Sequence, residues 1–209
     1  MLNLIQHAIV HNDATLPELP LCLYAYILAG NGIFVKAKRE GLDVLIPVSH
    51  SKIAGLPPLT PYVRLPCRVP ANLLLTALEL SRQVVPNEIL FWFNRDENWK
   101  MDLPRQLART GSVVPADRMD VRGTRALIDL HSHGVLPPFF SPTDDRDEQG
   151  FRIYAVIGEV DRSPGIRVRV GVYGHYFDVP ASQVFEVPTE LLDILKAEEV
   201  QNEATTEQR

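Results

Sequence analysis

The sequence predicts an α/β protein: a sheet flanked by two helices, preceded by a β-rich N-terminal extension. Three observations carry this. First, Ala71 to Val84 has helical period, with Leu74, Leu78 and Ser81 aligned and Leu73, Ala77, Leu80 and Val84 beside them. Second, the chain after it is a series of strand-length apolar runs, ending in a second amphipathic segment at Pro188 to Val200. Third, Leu56 to Pro70 carries Pro57, Pro58, Pro61, Pro66 and Pro70, which remove backbone donors and block helix. That tract reads as an extended connector and sets the division: residues 1–65 as the extension, 66–200 as the main domain, 201–209 as a polar, fraying tail.

The extension reads as a three-stranded meander. Cys22 to Ile27 is the first strand, and Gly30-Asn31-Gly32 suits a type I′ hairpin turn. Ile33 to Lys38 returns, Arg39-Glu40-Gly41 turns again, and Leu42 to Val48 closes the set. In the main domain, Pro70 or Asn72 starts the first helix and Pro86 stops it. Asn87 to Asn94 is a buried strand that opens on a carboxylate, and Trp99 to Leu103 returns from it. Residues 104–123 give loops around a short strand. Ala126 to Leu130 is a strand leading into His131-Ser132-His133. Asp144 to Gly150 is a short acidic turn or single helical turn, and Phe151 to Val160 is a long apolar strand. In Ile166 to Val170 the apolar residues alternate with Arg167 and Arg169, which predicts one wet face. Val172 to Val179 and Val184 to Val187 are further strand pieces, and Thr189 is the expected N-cap of the last helix.

Composition narrows the classes of function. The 209 residues carry a net charge of −5, without the basic stripe of a nucleic-acid footprint. Two distant cysteines, Cys22 and Cys67, give neither a disulfide framework nor a zinc ribbon. The N-terminus lacks a signal-peptide pattern, and the apolar run from Leu21 to Ala29 is too short to span a bilayer. The expectation is a soluble cytoplasmic protein without nucleic-acid or membrane partners.

The chemistry concentrates in HSHGVLPPFFSPTD, residues 131–144. Positions i and i+2 of a strand face the same side, so His131 and His133 can converge on one ion. Asp144 can add a third donor from the loop that follows. Three N/O donors with an open fourth position make a catalytic rather than a structural zinc site. Ser-Pro-Thr-Asp is also a good helix start, with Ser141 as N-cap, and one serine can cap and catalyse. Asp129-Leu130-His131-Ser132-His133 also opens like the metal motif of amidohydrolase barrels. Those barrels need ~250 residues, and only about 75 follow the histidines here. Asp129 then stands as either an outer partner of a ligating histidine or a buried structural residue.

His-x-His, seven residues, then Ser-x-x-Asp resembles the motif of the JAMM (MPN+ or JAB) zinc metallopeptidases, matched at all four fixed positions. Within that family the tract is most similar to PRTRC system protein A. The resemblance covers roughly residues 70–187. It implies a JAMM/MPN-type curved mixed sheet flanked by helices, with zinc held by His131, His133 and Asp144. It implies a catalytic glutamate at the start of the strand after the first helix, which here is Glu88, although Ile89-Leu90-Phe91 stands where many members have a glycine-containing segment. It gives Ser141 an oxyanion-stabilising role. The activity implied is cleavage of amide bonds after the C-terminus of a ubiquitin-like protein, with a ThiF-like activating enzyme as a further partner. A metal-binding MPN scaffold without peptidase activity is the alternative; such scaffolds usually lose the ligands that this chain keeps.

Overall fold

A computed structural model describes residues 4–11, 15–16, 21–117 and 119–199. The tail expected at 201–209 and residue 200 lie outside the described residues. Contacts divide the chain into two units. One is Met1–Pro66 with Gln149–Phe151 and Val170–Phe177; the other is Cys67–Glu148, Arg152–Arg169 and Asp178–Arg209. The two short segments that join the first unit lie far along the chain from the proline connector.

The N-terminal unit holds a sheet of five strands: β1 (Ile5–Ile9), β2 (Tyr24–Ala29), β3 (Gly32–Arg39), β4 (Leu42–His50) and β5 (Tyr62–Arg64). The expected meander is β2 to β4. It is extended by β1, which pairs parallel with β2, and by β5, which pairs antiparallel with β4 from within the proline tract. The first hairpin turn differs from the expected type I′. Its two loop residues are Gly30 and Asn31, and the positive φ falls one place later, at Gly32 (φ 136°). Both glycines are required by close backbone approach. A Cβ on Gly30 would stand 2.1 Å from the Leu56 carbonyl oxygen, and one on Gly32 2.0 Å from that of Ser49. Val10, Ala25, Ile27, Ala29, Phe34, Leu45 and Leu59 form this unit's core.

The second unit opens with α1 (Ala71–Val84), which buries Leu74, Ala77, Leu78 and Ser81, the i, i+3, i+4, i+7 face that the sequence sets. Then come β6 (Leu90–Arg95), β7 (Trp99–Asp102), the small hairpin β8 (Gln106–Arg109) and β9 (Ser112–Pro115), and the five-residue α2 (Val121–Arg125). β10 (Ile128–Ser132) carries the first histidine and α3 (Pro142–Asp147) the aspartate. β11 (Phe151–Gly158), β12 (Gly165–Val172), β13 (His175–Val179), α4 (Ala181–Val184) and β14 (Leu192–Asp193) follow. The larger sheet runs β13-β12-β11-β10-β6-β7, with β14 beside β12. It is mixed: β10 pairs parallel with β11 and antiparallel with β6.

Three local expectations are corrected. Val184 to Val187 is not a strand piece; Val184 ends α4, and Phe185 makes one isolated bridge to Val69. The last helix does not begin at Thr189, because Leu192–Asp193 first pairs with Gly165–Ile166, and helix occupies residues 194–199. β12 has no wet face at Arg169, which is only 5% exposed because acidic side chains of α3 and the residue after it cover it.

Candidate metal centre

β10 is an interior strand, hydrogen-bonded on both sides, and its register places the site. His131 stands opposite Leu90 on β6 and Val156 on β11. His133 follows the strand end, its N–H donating to the Ile157 carbonyl at 2.8 Å. The backbone between them is pinned again by Ser132, whose N–H donates to Ile89 O at 3.0 Å while its Oγ accepts from Ile89 N at 3.3 Å. Both imidazoles are buried. The loop after His133 doubles back over the end of β11, with Leu136 O accepting from Glu159 N at 2.8 Å. Gly158 makes that passage possible: a Cβ there would lie 2.4 Å from Leu136 O.

The loop delivers Ser141 to the start of α3. Ser141 Oγ accepts from Asp144 N at 3.2 Å, and Asp144 Oδ2 accepts from Ser141 N at 2.6 Å, a reciprocal capping box. The helix-start reading of Ser-Pro-Thr-Asp is therefore correct. It is compatible with the metal reading, since a serine that accepts through Oγ still has its hydroxyl hydrogen to donate.

His131, His133 and Asp144 come together. One donor atom from each lies within 4.8 Å of the others. His131 Nε2 is 3.1 Å from His133 Nε2 and 3.5 Å from Asp144 Oδ1, and His133 Nε2 is 4.0 Å from Asp144 Oδ2. Donors about 2.0–2.1 Å from a tetrahedral zinc stand roughly 3.3 Å apart, so this spacing fits one ion. Protonation fits as well. Burial holds His131 well below the usual histidine range, at about 4, against the opposing pull of Asp144. Burial also lowers His133, again opposed by Asp144. Neutral imidazoles with available lone pairs are what metal binding requires. His133 Nδ1–H donates to Pro137 O at 3.3 Å, which turns Nε2 inward. Phe139 packs edge-on against His133 with centroids 4.7 Å apart, so the Pro-Pro-Phe-Phe tract supplies a wall of the site.

Glu88 comes from 43 residues before His131. It lies two residues before β6, whose first residue, Leu90, stands opposite His131, and the Asp144 charge acts on its carboxyl. Its N–H donates to Arg109 O of the β8 hairpin at 3.1 Å. It is buried (6% exposed), and burial, with the Asp144 charge second, pushes its carboxyl up to about 7. A carboxyl poised near neutrality can both accept and return a proton.

Two residues of this neighbourhood escaped the sequence reading. Glu148, at the C-terminal end of α3, is 9% exposed, and its Oε1 lies 4.0 Å from His131 Nδ1. Burial raises its carboxyl, opposed by Arg169, whose two contacts on Oε2 favour the ionised form. Arg169 on β12 donates to Glu148 Oε2 at 2.6 and 3.0 Å and to Asp145 Oδ1 at 2.6 Å. The guanidinium also lies over the Phe140 ring at 3.9 Å. The available signal was a lone Arg on an apolar strand together with an acid one helical turn after Asp144. Asp129, weighed as an outer partner of a histidine, accepts two contacts from Arg152 Nη1, at 2.8 and 2.9 Å. The Glu148 carboxylate faces His131 Nδ1.

Residues 71–170 match the family model for prokaryotic homologs of the JAB domain. That segment runs from the first residue of α1 to within two residues of the end of β12, and contains Glu88, His131, His133, Ser141 and Asp144. Fold, spacing and donor geometry thus agree on a JAB-like domain with a group able to hold a metal ion. No curated protein matches the chain.

Proposed function

We propose that this protein is a zinc-dependent metallopeptidase of JAMM type, an isopeptidase that cleaves the amide bond after the C-terminus of a ubiquitin-like protein. The observation that carries the reading is the convergence of His131, His133 and Asp144 beside a buried Glu88 near neutrality. His131, His133 and Asp144 would hold the ion. Zinc held there would supply Lewis acidity and a water molecule with its pKa lowered to about 7. Glu88 takes the proton of the attacking water and gives it to the departing amine. Ser141 donates its hydroxyl hydrogen to the oxyanion of the tetrahedral intermediate.

The resemblance of HSHGVLPPFFSPTDD to PRTRC system protein A supports a place in a bacterial system of that kind, with a ThiF-like activating enzyme as a natural partner and the cytoplasm as location. No helix among the described residues is long and apolar enough to cross a membrane. Zinc content of the purified protein, read together with hydrolysis of a tagged ubiquitin-like fusion, tests the proposal. Stoichiometric zinc and cleavage that disappears in Glu88→Gln are the expected results. Zinc binding with wild type and Glu88→Gln equally inert would favour a metal-bearing scaffold. Absence of zinc uptake would overturn both.

A further inference from the structure

Glu148 and Arg169 form a buried pair that the proposed mechanism does not use. Their geometry is directional. Arg169 approaches Glu148 through Nε and Nη2, and both contacts fall on one oxygen, Oε2. The other oxygen, Oε1, is the one 4.0 Å from His131 Nδ1. His131 meets His133 and Asp144 through its opposite nitrogen, Nε2. A histidine that offers the Nε2 lone pair must carry its hydrogen on Nδ1 when neutral, and a carboxylate facing Nδ1 favours that tautomer. The two histidines thus have different outer partners: a backbone carbonyl for His133 and a side-chain carboxylate for His131. Arg169 also holds Asp145 and stacks on Phe140, residues on either side of Ser141 and Asp144. One guanidinium therefore fixes both the carboxylate behind a metal ligand and the segment that bears the third ligand.

We infer that Glu148, oriented by Arg169, is a positioning residue for the metal centre: it sets the tautomer and direction of His131 so that Nε2 faces the ion. The inference rests on the zinc reading above. It acts through a histidine, so it shows in metal affinity and histidine spectra before it shows in turnover.

The test is zinc affinity by chelator competition, measured on the full-length wild type, Glu148→Gln and Arg169→Lys, with the cobalt(II) visible spectrum and nitrogen-15 spectra of the histidine rings alongside. Glu148→Gln keeps the shape and removes the charge; it should weaken zinc binding roughly 10- to 100-fold, the usual cost of losing an outer-shell partner. Its cobalt bands should shift, and His131 should lose its bias to hydrogen on Nδ1. Arg169→Lys keeps a cation but loses the two-point hold on Oε2, and should fall between the two. The wild-type ring spectrum needs no variant, so a Glu148→Gln protein that fails to fold leaves a test in hand. Hydrogen on His131 Nε2, or metal on Nδ1, in zinc-loaded wild type would overturn the inference. So would zinc affinity and cobalt bands in folded Glu148→Gln equal to wild type, with the metallopeptidase reading intact. Wild type that takes up no zinc overturns both.

Discussion

The candidate centre is assembled from two regions held in different ways. The β10 region is held by backbone. His131 sits in a strand paired on both sides, and the N–H of His133 is bonded to β11. The α3 region is held by side chains. A helix of six residues is far too short to be stable by itself. It depends on the Ser141–Asp144 capping box and on Arg169 gripping Asp145 and Glu148. Strand donors are therefore in place once the sheet forms. Helix donors are in place only while a set of charges and hydrogen bonds persists. The difference separates residues that can be removed without loss of fold from residues whose removal loosens the site itself.

The largest effect should come from the strand side. His131→Ala should lose zinc by more than the roughly 100-fold that loss of an outer partner costs, while the far-UV circular dichroism and melting temperature of the metal-free protein barely move. A large loss of secondary structure would show that β10 is not held by its backbone alone.

Asp144→Ala comes next and should do two things. It removes a donor, seen as lost zinc, and one side of the capping box, seen as about 1 kcal/mol lower stability by chemical denaturation of the metal-free protein. Unchanged stability would mean that Arg169 alone suffices to hold α3. Ser141→Ala separates the two roles of one hydroxyl. Zinc should stay bound, kcat for a ubiquitin-like fusion should fall on the order of 100-fold, and stability should drop by about 1 kcal/mol. Loss of zinc in this variant would place the capping box upstream of the metal site.

On stability, as distinct from turnover, Glu88 has an effect that depends on pH. Its folded-state value, about 7, lies above its ordinary 4.5. The folded metal-free protein therefore keeps a proton that the unfolded chain releases, and stability falls as pH rises from about 4.5 to about 7. Glu88→Gln removes that dependence. The variant should match wild type near pH 4.5 and exceed it by roughly 1–3 kcal/mol above pH 7, levelling off there. A constant difference across that range, in denaturation curves at several pH values, would contradict the environment assigned to Glu88.

Legibility followed the range of the interactions. The bounds of α1 were readable because prolines 70 and 86 bracket an unbroken apolar stripe. The meander was readable up to its turn, but the turn type was not. It depends on the backbones of residues 49 and 56 pressing on Gly32 and Gly30, which no local pattern records. β1 went unread because its five residues pair parallel to β2, without a turn to announce them. Arg169 was misread for a related reason. Alternation on β12 marks a second face, but whether that face meets water depends on what covers it, and the cover is Glu148 and Asp145 from another element.

The site divides along the same line. The sequence by itself determined that two imidazoles at a strand end can meet and that Ser141 and Asp144 cap one short helix, because both follow from spacings of two and three residues. Only the tertiary structure decided that strand end and helix start meet within 4.8 Å. It also decided that the Asp144 charge acts on Glu88 and that a buried Arg169–Glu148 pair stands behind His131. The first joins residues 56 apart in the chain and the Arg169–Glu148 pair residues 21 apart, fixed by which strands pair and what becomes buried, and neither is written in the spacing of any one segment.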